Sequence, residues 1–216
     1  MNIFMTIFFA LLLAVGIALL IILQFPAFGR APRGKRLERI KQSPHYRNGR
    51  FHNIRNAPTL TSSKSLVQRM KEFIFDRPLR LKPSAPLPFV HTSLSTLAQA
   101  NDDVLVWLGH SSVFLKTDGL TFLVDPVFTT ASPFPWMFSP FKGSNGFTIE
   151  EVPPIDVLII THDHYDHLDY RTIKRLRQRV SRVVCPLGVG EHLERWGYPS
   201  DAITELDWDE SVLLDH

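Results

Sequence analysis

The stretch that decides the fold is Asp156-Val-Leu-Ile-Ile160 running directly into Thr161-His162-Asp163-His164-Tyr165-Asp166-His167-Leu168-Asp169. A short, continuous apolar run of this kind reads as a fully buried strand. Behind it, His162, His164, Asp166 and His167 form the pattern H-x-H-x-D-H. In extended backbone, side chains two apart point the same way, so His162 and His164 can offer two imidazole nitrogens to one cation. Asp166 and His167, where the chain turns toward a helix, can reach a second cation beside the first. Two metals ~3.5–4 Å apart can clamp the charge that develops in a hydrolysis. Imidazole with carboxylate and no thiolate suits zinc, and also manganese or iron. Four polar groups leaving a buried strand need partners, which argues against an ordinary core role for them.

Working outward, Asp169 reads as the N-cap of a helix running through Ile173 and Leu176 to about Arg179. A strand at Arg182 to Cys185, a helix at about Gly190 to Trp196 and a strand at Ile203 to Leu206 follow. Upstream, Val104–Leu108, Ser112–Lys116 and Leu120–Val124 read as strands, the last two joined by a Thr117-Asp118-Gly119 turn. This alternation predicts a layered α/β domain over residues 101–216. The loop from Pro126 to Pro140, with Phe134, Trp136, Met137 and Phe138, and Phe141 just beyond, packs over the site or forms a lipid-facing surface. The single cysteine, Cys185, excludes an intramolecular disulfide framework and reads as a buried apolar residue.

The motif resembles the signature of the metallo-β-lactamase-fold hydrolases. Trp107-Leu108-Gly109-His110-Ser111-Ser112, Leu123-Val124-Asp125-Pro126-Val127-Phe128 and Pro186-Leu187-Gly188-Val189-Gly190 look like the branch that contains the N-acyl-phosphatidylethanolamine-hydrolysing phospholipase D enzymes, with the ascorbate-6-phosphate lactonases more distant. The resemblance implies an αββα sandwich with a dinuclear zinc site at one edge of the sheets. It gives His162 and His164 to the first metal and Asp166 and His167 to the second, with Asp166 also managing a catalytic proton. His110 and Asp125 match positions near the site that support the ligands or face substrate. A further metal-binding His, a bridging Asp and a last His are implied beyond His216. The sequence is therefore expected to hold the N-terminal half of the sandwich, as a fragment or truncated product, with one apolar sheet face left open.

The net charge of +3 hides an asymmetry. Residues 1–23 carry no charge, residues 24–100 a net +12 and residues 101–216 a net −9. From Ile3 to Leu23 the chain is apolar apart from Thr6. At ~1.5 Å per residue this run is long enough to cross the hydrocarbon of a bilayer. No basic n-region or small-residue cleavage site accompanies it, so residues 1–25 read as a single-pass anchor rather than a cleaved signal. Arg30, Arg33, Lys35, Arg36, Arg39 and Lys41 follow it, and by the positive-inside rule they put the catalytic domain on the cytoplasmic side. Residues 26–100 read as a basic, Pro-containing tether, solvated or lying on lipid headgroups. At about 64–76 they carry an amphipathic helix expected to dock on the domain or on the membrane. The basic segment has no recognisable nucleic-acid module, so the expected partner is membrane lipid, as anchor and as substrate, and no nucleic acid. A homo-oligomer is compatible with these features.

The sequence thus predicts a membrane-anchored, metal-dependent hydrolase, a phosphodiesterase acting on phospholipid. A lactonase or other small-ester hydrolase and an inactive truncated membrane protein are the alternatives.

Overall fold

The computed structural model describes residues 3–55, 64–76, 82–134, 136–144 and 146–214. In chain order its elements are α1 (Ile3–Ile22), a 3-10 turn (Pro26–Phe28), α2 (Gly34–Gln42), a hairpin of β1 (Tyr46–Arg47) and β2 (Arg50–Phe51), α3 (Leu66–Phe75) and α4 (Leu94–Ala98). Then come β3 (Val104–Gly109), β4 (Ser112–Thr117), β5 (Leu120–Val124), β6 (Ile155–Ile159), α5 (Tyr170–Leu176), β7 (Val180–Pro186), α6 (Gly190–Arg195) and β8 (Ile203–Leu206).

Strands β3 to β8 form one six-stranded sheet in sequence order. The β3–β4–β5 part is an antiparallel meander, and β5 through β8 run parallel. The change of sense follows from connection length. A Thr117–Gly119 turn can only reverse the chain, whereas the long segment between β5 and β6, and then α5 and α6, carry it back for parallel pairing. Asp169 caps α5 as expected: its carboxylate accepts from the Arg171 N–H and from the Thr172 and Thr129 hydroxyls. The last turn expected up to Arg179 is a separate 3-10 turn, Arg177–Arg179, where the helix tightens before β7 begins.

One face of the sheet is the core. Across it Val106 pairs with Phe114, Phe114 with Leu123, Leu123 with Leu158 and Leu158 with Val183. These pack with Ile173, Leu176, Leu193 and Trp196 from the two crossover helices. The other face is apolar too, with Leu105 69% and Trp107 65% exposed. Among the described residues it is open at β3, while Val157 on the same face of β6 is 3% exposed.

For residues 26–100 one expectation is corrected and one is narrowed. The segment after α1 is no free tether. Arg36 is held between Glu191 (3.3 Å), Glu194 (2.7 Å) and Glu205 (3.0 Å), and Arg30 pairs with Glu191 at 2.7 Å. The Arg195 guanidinium donates to the Gly29 and Gln24 carbonyls, and the Trp196 indole to that of Pro26. Arg30, Arg33 and Arg36, read as facing headgroups, instead complement acidic groups of α6 and β8. The amphipathic helix forms as α3 with a Ser65–Gln68 capping box, but it buries none of its side chains. Among the described residues it does not dock on the domain, Val67 and Phe73 staying 77% and 69% exposed, and of the two expected surfaces the membrane remains. Pro78 lies outside the described residues.

Candidate metal centre

The parallel strands point their C-terminal ends at one edge of the sheet, and there β6 gives way to the histidine-rich turn. His162 and His164 rings lie 4.7 Å apart by centroid, and His162 and His167 3.9 Å. Asp166 Oδ2 is 3.8 Å from His167 Nε2 and 3.0 Å from His110 Nε2. The motif residues and His110 thus converge, and ligand atoms of His110, Asp166 and His167 all lie within 4.8 Å of one another.

Asp125 organises this turn. It is 2% exposed, follows β5 and has a left-handed φ of 42°. A non-glycine residue in that region is strained, and such strain gathers at functional sites. Its carboxylate accepts the Thr161 N–H (2.8 Å), the Thr161 hydroxyl (2.5 Å) and His167 Nδ1 (2.8 Å). The last bond places the His167 proton on Nδ1 and leaves Nε2 as a free lone pair aimed at Asp166. The Thr161 hydroxyl spends its own hydrogen on Asp125, so its 3.0 Å contact with His162 Nδ1 requires that ring to donate. His162 is thereby left with Nε2 unprotonated. One buried carboxylate fixes the tautomers of two histidines, one directly and one through a hydroxyl.

His110 also has a left-handed φ, 44°, and follows Gly109, where an added Cβ would strike the Ser144 carbonyl. Trp107 Nε1 donates to the His110 carbonyl at 2.8 Å and steadies the bend. Burial disfavours the charged form of Asp166, but its backbone hydrogen bond and the one from His110 outweigh this and hold the carboxyl below its ordinary range. Burial, with His167 and His164 close by, keeps His162 below the usual imidazole range and so neutral at pH 7. A neutral His162 with its Nε2 free, His167 held through Nδ1 by Asp125, and an ionised Asp166 are donors of the kind a divalent transition metal takes, and the residues present fit one.

Thr161 was not singled out in the sequence; its signal was its place between an apolar strand and the first motif histidine. Thr161→Val should lower metal affinity about tenfold, and Thr161→Ser should restore it, read by competition with a chromogenic chelator. His192, also unflagged, accepts the Arg30 N–H at Nδ1 (2.9 Å) and lies 3.9 Å from Asp163 through Nε2. An added Cβ at Gly29 would strike its ring, so glycine is required there. Burial pushes the His192 pKa down, so the folded state resists its protonation. Stability should hold above the ordinary histidine range of about 6.5 and fall as pH drops through it. A lower protection factor for the Arg30 amide at pH 5.5 than at 7.5, with the intrinsic exchange rates divided out, checks this.

Ala27, Phe28, Ala131, His164, Asp166 and His192 line a pocket of about 350 Å³ beside the cluster. A larger one of about 760 Å³ opens past His162 between α2 and the β7–α6 loop.

The domain is thus a six-stranded mixed sheet with a histidine-rich turn after its buried strand and a carboxylate supporting that turn. Residues 121–216 match the beta-lactamase superfamily domain. Over 178 residues the chain is 35% identical to an uncharacterized protein of Mycobacterium tuberculosis, an alignment covering 81% of this chain and 47% of that protein. It is 32% identical over 115 residues to N-acyl-phosphatidylethanolamine-hydrolyzing phospholipase D 1 of Caenorhabditis elegans, covering 49% of this chain and 31% of that one. The crystal structure of CmlA, a diiron beta-hydroxylase from Streptomyces venezuelae, aligns with a TM-score of 0.43 at 35% identity over 54% of this chain and 23% of that chain. The chain spans about half, or less, of the length of these relatives.

Proposed function

We propose that this chain belongs to a membrane-anchored, metal-dependent hydrolase that cleaves a phosphodiester in a phospholipid. The observation that carries the reading is the convergence of His162, His164, Asp166 and His167 at one sheet edge, with Asp125 and Thr161 holding two of the imidazoles in the ligating tautomer. His162 and His164 would hold one cation and Asp166 and His167 a second, with His110 close enough to support Asp166 or face substrate. Two such cations supply a nucleophile from water at neutral pH and stabilise charge on a phosphoryl oxygen. The chain's own part is to keep His162 neutral, to orient His162 and His167 through Thr161 and Asp125, to keep Asp166 ionised, and to enclose the reacting group in the adjoining pocket.

The phospholipid substrate is supported by likeness to the nematode phospholipase D and by α1, a 20-residue apolar helix with no buried residue. The Lys/Arg excess that follows α1, with none before it, supports a cytoplasmic site. Zinc is the expected metal. Because CmlA is described as a diiron enzyme, iron is measured alongside it. Purified full-length protein given N-acyl-phosphatidylethanolamine and, separately, a phosphorylated lactone tests the reading. Release of phosphatidic acid from the lipid supports it, and turnover of the lactone alone assigns the site to small-ester hydrolysis instead.

A further inference from the structure

The loop between β5 and β6 carries no charged side chain from Pro126 to Phe141, a run of 16 residues. Its tip exposes large apolar rings to solvent: Trp136 is 76%, Phe138 63% and Phe141 44% exposed. The tip is a built turn. Met137 N–H donates to the Phe134 carbonyl, Ala131 N–H to that of Phe138, and the Thr130 hydroxyl to that of Met137. Phe138 is held at a left-handed φ of 50°, with its ring directed outward rather than into the core. A soluble surface seldom spends strain to display such rings, and contiguous exposed apolar patches mark interaction sites.

What lies next to the patch identifies its partner. The Phe28 ring packs edge-on against Phe134 with centroids 5.9 Å apart, and Phe134 contacts Trp136 at 5.3 Å. Phe28 belongs to the short turn that follows the membrane-length helix α1, and Phe25 beside it is 51% exposed. Aromatic contacts therefore join the turn that follows a membrane-length helix to the exposed loop. Arg195 and Trp196, by gripping the Gln24, Pro26 and Gly29 carbonyls, fix that end to the domain. Tryptophan and phenylalanine at the end of a span, with no nearby acidic group on the loop, suit the boundary between headgroups and acyl chains.

We infer that the Trp136–Phe141 loop is a second membrane contact that dips into the bilayer interface beside α1. It orients the pocket lined by Phe28, Ala131, His164 and Asp166 toward the lipid. The inference rests on the membrane-anchor reading above and adds that the site is reached at lipid level rather than from the cytosol.

The sole native cysteine, Cys185, is buried and so leaves single-site labelling open. The full chain in nanodiscs of phosphatidylcholine and phosphatidylglycerol carries a nitroxide at Trp136→Cys, at Phe138→Cys or at Asp118→Cys, the last at the opposite end of the sheet. Labels at 136 and 138 should collide with oxygen in preference to a water-soluble nickel chelate, and the label at 118 should show the reverse. Independently, brominated lipid should quench the tryptophan fluorescence of the native chain, and Trp136→Phe should remove most of that quenching. Labels at 136 and 138 as open to the nickel chelate as the one at 118, or shielded from both reagents by protein, would overturn the inference. None of these readouts requires turnover, so lipid-facing labels in a protein that hydrolyses no phospholipid would support the loop contact while refuting the substrate reading.

Discussion

In Asp125→Ala, metal affinity should fall about 10–100-fold and the midpoint of thermal unfolding by roughly 6–12 °C. The carboxylate removed is 2% exposed and accepts from the Thr161 amide, the Thr161 hydroxyl and His167 Nδ1. Without it, the His167 donor loses its charged partner in a largely buried setting, a loss of about 3 kcal/mol once the two Thr161 bonds are included. His167 and His162 are then free to take either tautomer, and half of the tautomer combinations at each ring turn the wrong nitrogen toward a cation. Asp125→Asn should separate the two effects. Its amide oxygen can still accept from the Thr161 N–H, so most of the stability should return. Its amide nitrogen cannot accept from His167, so metal affinity should stay low. Metal titration and thermal melts on the two variants read this directly.

The second large effect is expected in Arg36→Ala. The Arg36 side chain is 16% exposed and faces the side chains of Glu191 and Glu205, which are 3% and 8% exposed. Glu205 also accepts the Gly188 and Gly190 N–H groups at 2.8 and 2.9 Å, so its charge is anchored in place and cannot turn to solvent. Removing the cation leaves the buried Glu205 carboxylate without its cationic partner and Glu191 with Arg30 and Arg33 alone, for which about 3–5 kcal/mol is the ordinary cost. The segment from Gln24 to Gln42 should lift from α6 and become open to trypsin at Arg33 and Lys35, well below the global unfolding temperature. Arg36→Lys should rescue only in part, because a single ammonium cannot replace a planar fork that reaches Glu194, Glu191 and Glu205 together.

The parts of this molecule that follow local rules were legible in the sequence. The buried β6 strand, the Asp169 cap, the Thr117–Gly119 turn and the spacing of the H-x-H-x-D-H motif each rest on a period or a short-range hydrogen bond. Three features were not. Arg36 and Glu205 are 169 residues apart, and opposite charge in two halves of a chain does not say which residues meet. The amphipathic face of α3 was clear, but amphipathicity says only that a face is apolar, not what covers it. The supporting role of Thr161 depends on the direction of one hydroxyl hydrogen, fixed by Asp125 from a strand 36 residues earlier. Asp125 itself was visible only through the family resemblance; by composition it was a turn aspartate before a proline.

The most direct test of the account is the metal content of the purified full-length chain and of its His162→Ala/His164→Ala variant, measured by mass spectrometry after dialysis against metal-free buffer. The account predicts transition metal, zinc or iron, in stoichiometric amount in the parent and a loss of at least half of it in the variant, with the fold intact by circular dichroism. A parent that stays metal-free when offered zinc, manganese or iron, or a variant that keeps all of its metal, would contradict it.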